Sequence, residues 1–280
     1  MGAMNTHVHA PLFLSHGSPM TALEPREAGA FLQQLGRQID ERFGRPRAIL
    51  IVSAHTSGRM PVLLAGTRHQ AIYDFGGFDP KLQTLRYDAP GAPALAEETQ
   101  ALLKAAGIET ARVDQAGLDH GIWVPLRYMY PQADIPVLPL AFVPTRSPAQ
   151  QFALGEALAP LTAQGVQIIG SGSITHNLRM VFMGNPAIDA EEIGPSAAFR
   201  QWMVERSVAR DWEALMNYRR QAPHALDMHP TDEHLLPWYI AAGAGGREAA
   251  ARRIHASLTF GSLGMDAFSF GPSASAWNAV

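Results

Sequence analysis

The chain has 280 residues, 47% of them hydrophobic, with 22 Lys and Arg against 25 Asp and Glu for a net charge of −3, the balance of a globular protein large enough to bury a substantial core. No block of like charge marks a nucleic-acid or anionic-membrane surface. The absence of cysteine removes disulfide scaffolds, thiolate zinc sites, Fe–S clusters and a cysteine nucleophile, so any metal must sit on His and carboxylates.

Met1 to Ala10 lacks a basic n-region and an apolar h-region and is read as a flexible leader. Nowhere is there an apolar run of about 18 residues. These features predict a cytoplasmic protein without a membrane span. Short apolar runs ending near Gly, Ser or His then predict buried strands at Pro11 to Leu14, Ala48 to Val52, Pro61 to Leu64, Ile135 to Val143 and Val166 to Ile169. Amphipathic stretches of helical length alternate with them at Ala28 to Phe43, Ala92 to Ala106, Ser147 to Ala163 and Ser196 to Tyr218. That alternation is the sequence form of βαβ architecture, so the fold class is α/β.

Ser147, Pro148 and Gln150 have the spacing of a capping box, and Gly107 suits the close of the helix before it. The tail from Leu258 to Phe270 predicts a late strand pair at a sheet edge. No internal repeat or linker interrupts the pattern, which makes residues 11–275 one domain.

Three of the 11 histidines follow strand-like runs: His16 in SHGSPM, His55 in SAHT and His176 in GSGSITHNL. In an open α/β sheet the ligand crevice lies beyond the carboxyl ends of the strands, where these residues converge. His120 lies in DHGIW, and His229 and His234 lie in HPTDEHLLP, where Pro230 and Thr231 predict a helix whose first turn carries Glu233 and His234. One histidine at a strand end is more often a hydrogen-bonded structural residue than a ligand. Several in Gly/Ser-rich turns favour a divalent first-row metal with open positions. His7, His9, His69, His224 and His255 lack that setting.

Other motifs are weaker. GSGS at Gly170 to Ser173 lacks the spacing and lysine of phosphate-binding loops, and Ser18 and Ser171 lack a nucleophile elbow. DFGGF at Asp74 to Phe78 reads as a Gly-rich turn lining the site.

The chain resembles the class III extradiol ring-cleaving dioxygenases of the DOPA 4,5-dioxygenase type over nearly its whole length. The resemblance is carried by LFLSHGSPM (Leu12 to Met20), SAH (Ser53 to His55), DFGGF, DHGIWVPL (Asp119 to Leu126), HNLR (His176 to Arg179) and PTDEHLLP (Pro230 to Pro237). It implies a single domain with a central mixed, largely parallel sheet flanked by helices. It also implies a non-haem metal on His16, His55 and His234, with His176 as fourth ligand or acid/base and His120 beside the substrate.

Members of the wider superfamily use a carboxylate as third ligand, so Glu233 stands as the alternative to His234. Fe(II) is the metal expected for activity, and Zn(II) also suits an all-His site. The implied reaction opens a catechol with O2 to a muconic semialdehyde, in a monomer or small homo-oligomer. Phe75, Phe78, Trp123 and Tyr128 are candidates for an aromatic wall, and no cationic clamp for a substrate carboxylate can be assigned. Thr56 and His229 depart from residues common in close relatives. The same histidines also suit a zinc hydrolase with Glu233 as base.

Overall fold

The computed structural model of the chain describes residues 8–248, 251–278 and 280. Its strands are β1 (Leu12–Ser15), β2 (Ala48–Ser53), β3 (Val62–Leu64), β4 (Ala111–Val113), β5 (Val137–Ala141), β6 (Val166–Gly172), β7 (Arg252–His255), β8 (Leu258–Thr259), β9 (Leu263–Gly264) and β10 (Ala267–Ser269). The first helices are α1 (Arg26–Phe43), α2 (Pro93–Ala105), α3 (His120–Met129) and α4 (Pro148–Leu158). They are followed by α5 (Leu178–Gly184), α6 (Gly194–Ala209), α7 (Trp212–Met216), α8 (Tyr218–Gln221), α9 (Ala225–Met228) and α10 (Leu236–Gly245).

Eight strands form one mixed sheet in the order β4-β3-β5-β2-β6-β1-β10-β7. Its centre is parallel, with β5, β2, β6 and β1 running the same way, while β3 joins β5 and β10 joins β1 in antiparallel fashion. Every residue of β1, β2, β5 and β6 is buried, which is why these strands read as continuous apolar runs rather than alternating ones. The pleat divides them between two cores: Phe13, Leu50 and Val52 face one, and Leu12, Leu14, Ile49 and Ile51 face the other. Helix α10 lies in the first core with residues 236–244 all buried, the pattern of a helix apolar on every side.

The expected capping box is present, with the Ser147 hydroxyl accepting from the Gln150 amide, and Gly107 has φ 73° just past α2. Other boundaries differ. The helix expected over Ser196 to Tyr218 is divided, because Arg210 turns left-handed at φ 57° and Asp211 caps a new helix through the Ala214 amide. The tail does not form an edge pair. β10 lies between β1 and β7, and β8 and β9 make a separate two-stranded ladder.

The helix expected to carry Glu233 and His234 starts only at Leu236, so both residues sit in the turn before it. The part of the expected leader at residues 1–7 lies outside the described residues. His9 is not frayed: it is buried, packs on Phe43, and donates its backbone N–H to Thr162. Among the described residues no helix is long and apolar enough to cross a membrane.

Candidate metal centre

The register of the parallel strands assembles the site. Ser15 pairs with Gly172 and Ser53 with Ser171, so β1, β2 and β6 end together and the residues just beyond them share one crevice. His16 follows β1 directly, and its backbone N–H donates to Gly172. His55 lies two residues beyond β2. His234 arrives from the other end of the chain, tied down where Ser173 N–H donates to its carbonyl at 2.9 Å. A Cβ on Gly172 would lie 2.0 Å from that carbonyl oxygen, so only glycine admits this approach.

The crevice opens into a cavity of about 460 Å³ lined by His16, His55, His120, His176 and His234. A wider surface groove of about 750 Å³ along α2 carries no histidine. The Nε2 atoms of His16 and His55 are 3.1 Å apart. Two imidazoles on one tetrahedral ion place their nitrogens about 3.3 Å apart. The His16 ring centroid lies 5.3 Å from that of His120 and 5.6 Å from that of His234. His176 stacks on His234 at 3.5 Å. Ligand atoms of His16, His55 and His120 lie within 4.8 Å of one another, as do those of His176, Glu233 and His234.

Hydrogen-bond partners assign the tautomers. Pro125, inside α3, has no N–H for the carbonyl of Gly121 four residues earlier, and the Ser171 hydroxyl donates to that carbonyl instead. With its hydrogen used there, Ser171 accepts from His16 Nδ1 at 3.0 Å, leaving His16 Nε2 with its lone pair. Asp74 accepts from His120 Nδ1, and Glu233 accepts from His234 Nδ1 at 3.4 Å. His234 Nε2 is buried without a hydrogen-bond partner among the described residues, as expected of an atom placed for a ligand. This donor set fits a divalent metal.

The electrostatics agree. Burial and the surrounding histidines hold His16 well below its ordinary value, push His55 down to about 3 and push His176 down to about 2. These rings stay neutral at pH 7, the form that binds metal. The hydrogen bond from His234 holds Glu233 down at about 2. Burial raises Asp119 even though Thr56 and Ser53 both donate to it.

The structure thus brings His16, His55, His120, His176, His234 and Glu233 together. Phe75 and Phe78 line the cavity, whereas two of the expected wall residues do not. Trp123 is buried with its indole N–H on the Ile72 carbonyl, and Tyr128 donates to Thr21. His229 and His69 are structural, donating to the carbonyls of Ile174 and Val137. Residue-by-residue reading overlooked Asp74 and Asp119 and weighed Ser171 only as a nucleophile; the one sequence signal of their supporting roles is their place inside the DFGGF, DHGIW and GSGS segments.

A family model for the catalytic LigB subunit of aromatic ring-opening dioxygenase matches residues 7–266. The chain belongs to this LigB family. It is 37% identical to a 4,5-DOPA dioxygenase extradiol of Beta vulgaris, the match covering 94% of this chain and 97% of the relative. A protein of the same name from Portulaca grandiflora is 38% identical over 92% of this chain and 94% of its own. One from Escherichia coli (strain K12) is 34% identical over 91% and 92%. The crystal structure of an uncharacterized Escherichia coli K12 protein superposes with a TM-score of 0.77 at 30% identity, covering 94% of this chain and all of that one. The LigB-family chain is an extradiol aromatic ring-opening dioxygenase, and the five-histidine cavity is where its fold brings metal-ligating groups together. The family's chemistry is ring opening, which leaves the zinc hydrolase without support.

Proposed function

We propose that the cavity holds one divalent metal on His16, His55 and His234 and opens a catechol-type substrate beside it with O2, giving a muconic semialdehyde. The observation that carries this reading is the approach of His16 and His55 Nε2 to 3.1 Å with the His234 ring 5.6 and 5.0 Å from theirs, its buried Nε2 without a hydrogen-bond partner among the described residues. When bound, a redox-active ion such as Fe(II) would supply the electron exchange between catechol and dioxygen that ring opening requires.

The remaining chemistry belongs to the side chains. His120 keeps its Nδ1 hydrogen on Asp74, so its Nε2 can take a phenolic proton and return it. The carboxylate at 2.9 Å stabilises the resulting imidazolium. His176, held neutral by burial and by His234, presents a second imidazole to the substrate as hydrogen-bond partner and acid/base. Acid/base help of this kind is worth about a hundredfold to ten-thousandfold in rate. Phe75 packs edge-on against His120 at 5.8 Å and with Phe78 forms the wall for the ring.

Oxygen uptake recorded with visible absorbance, after anaerobic loading with Fe(II) or Zn(II) and addition of catechols, tests the proposal. Oxygen consumption with a coloured ring-opened product under Fe(II) alone is the expected result. Silence in protein that binds Fe(II) would overturn it.

A further inference from the structure

Beyond the histidines the cavity changes character. Its outer wall is built by α5, which contributes Leu178, Val181 and Phe182, by Ile188, and by Phe260 and Leu263 at the β8–β9 turn. Phe182 is 74% exposed although it borders the cavity. With Leu178, also exposed, it makes an apolar rim at the mouth rather than a single stray side chain.

Charge is as informative as shape. Among the described residues no Lys or Arg lines this cavity, and apart from the histidines its one ionisable side chain is Glu24. Arg26, on an adjoining groove, faces that same carboxylate at 3.7 Å. A substrate carboxylate entering the outer cavity would leave water for an apolar wall, and the nearby cation, Arg26, already faces Glu24. An alkyl or aryl group there would gain about fourfold in affinity for each methylene buried. The cavity lies within the range of about 300–1,000 Å³ that accommodates drug-sized ligands, so it has room for more than a bare catechol ring.

We infer that this enzyme selects catechols bearing a neutral, extended apolar substituent and discriminates against those whose side chain carries a carboxylate. The inference rests on the ring-opening reading above and adds the substrate class.

The test compares butylcatechol, dihydrocaffeate and L-DOPA with the Fe(II)-loaded enzyme. kcat/KM is measured in air, and Kd is measured by calorimetry under nitrogen. Butylcatechol is expected to exceed dihydrocaffeate at least about tenfold in each readout, the scale set by burying an unpaired charge, with L-DOPA, whose ammonium Glu24 can attract, between the two. In Phe182→Arg, which places a cation at an exposed position of the mouth, the gap between butylcatechol and dihydrocaffeate is expected to narrow about tenfold. Equal or better use of dihydrocaffeate or L-DOPA by the unaltered enzyme would overturn the substrate class and leave ring opening standing. Absence of ring opening with all three, in protein shown to bind Fe(II), would overturn the ring-opening reading and this inference with it.

Discussion

His120 Nδ1 lies 2.9 Å from one carboxylate oxygen of Asp74 and 3.0 Å from the other, and the His120 backbone N–H donates to the same carboxylate. Burial works to raise the Asp74 carboxyl, and the His120 contacts outweigh it, so it is held below its ordinary value. One acidic residue therefore fixes both the start of α3 and the orientation of the ring at its first position. The Asp74 side chain is 23% exposed, which makes Asp74→Asn a substitution the fold should tolerate. The expected outcome is a loss of about 10- to 100-fold in kcat with KM little changed, the usual consequence of removing the group that orients a site imidazole. Steady-state kinetics on the metal-loaded variant checks it, and an unchanged kcat would reduce Asp74 to a structural cap.

A second relay runs from Pro125 to the metal centre. Pro125 leaves the Gly121 carbonyl free, Ser171 fills it, and Ser171 in turn accepts from His16. In Ser171→Ala the Gly121 carbonyl loses its partner and His16 is free to flip its tautomer. Metal affinity should fall about 10- to 100-fold, alongside about 1–3 kcal/mol of stability from the unpaired buried groups. Competition against a chromophoric chelator gives the first quantity and urea unfolding the second. Wild-type metal affinity in this variant would show that Ser171 does not control the ligand.

The histidines separate into ligands and supports. Ala in place of His16, His55 or His234 should each abolish stoichiometric metal, measured by elemental analysis after desalting. His120→Ala should retain metal and lose turnover. Metal lost from His120→Ala but kept in His234→Ala would move the third ligand to His120, whose ring is as close to His16 as that of His234. His69 donates to the Val137 carbonyl and accepts from the Gly117 amide. His69→Ala should keep full metal while losing about 1–3 kcal/mol of stability.

What could be read in advance follows from how local each feature is. β1, β2 and β6 declare themselves because both faces of the sheet are covered and every position but Gln167 is apolar or small. His16, His55 and His176 are then placed by the rule that parallel strands deliver their ends to one crevice. α3 stays hidden because Gly121 and Pro125 spoil its helical signal. The break at Arg210 stays hidden because a left-handed arginine has no compositional mark. Asp74 meets His120 across 46 residues and Ser171 meets His16 across 155. No spacing rule reaches that far. Trp123 and Tyr128 mislead for the opposite reason, since an aromatic beside a site motif is as readily directed into the core.

Acid sensitivity is built into the support beneath the centre. His229 is fully buried, and burial, aided by His234 and opposed by the Ile174 carbonyl, pushes it down to about 4. In the unfolded chain an imidazole titrates at about 6.5. Below that pH the unfolded state takes up a proton that the folded state refuses, so the stability present above about pH 6.5 is lost as pH falls toward 4. The loss from this one residue amounts to roughly 2–3 kcal/mol by about pH 4.5. His229→Gln keeps an N–H donor for the Ile174 carbonyl but has nothing to protonate. Urea unfolding of both proteins with metal chelated, at about pH 7 and about pH 4.5, should show the variant losing less stability than wild type by that amount. Equal losses would mean that the acid sensitivity arises elsewhere, with His16, His55 and His176 the next groups to examine, since all three are also held neutral by burial.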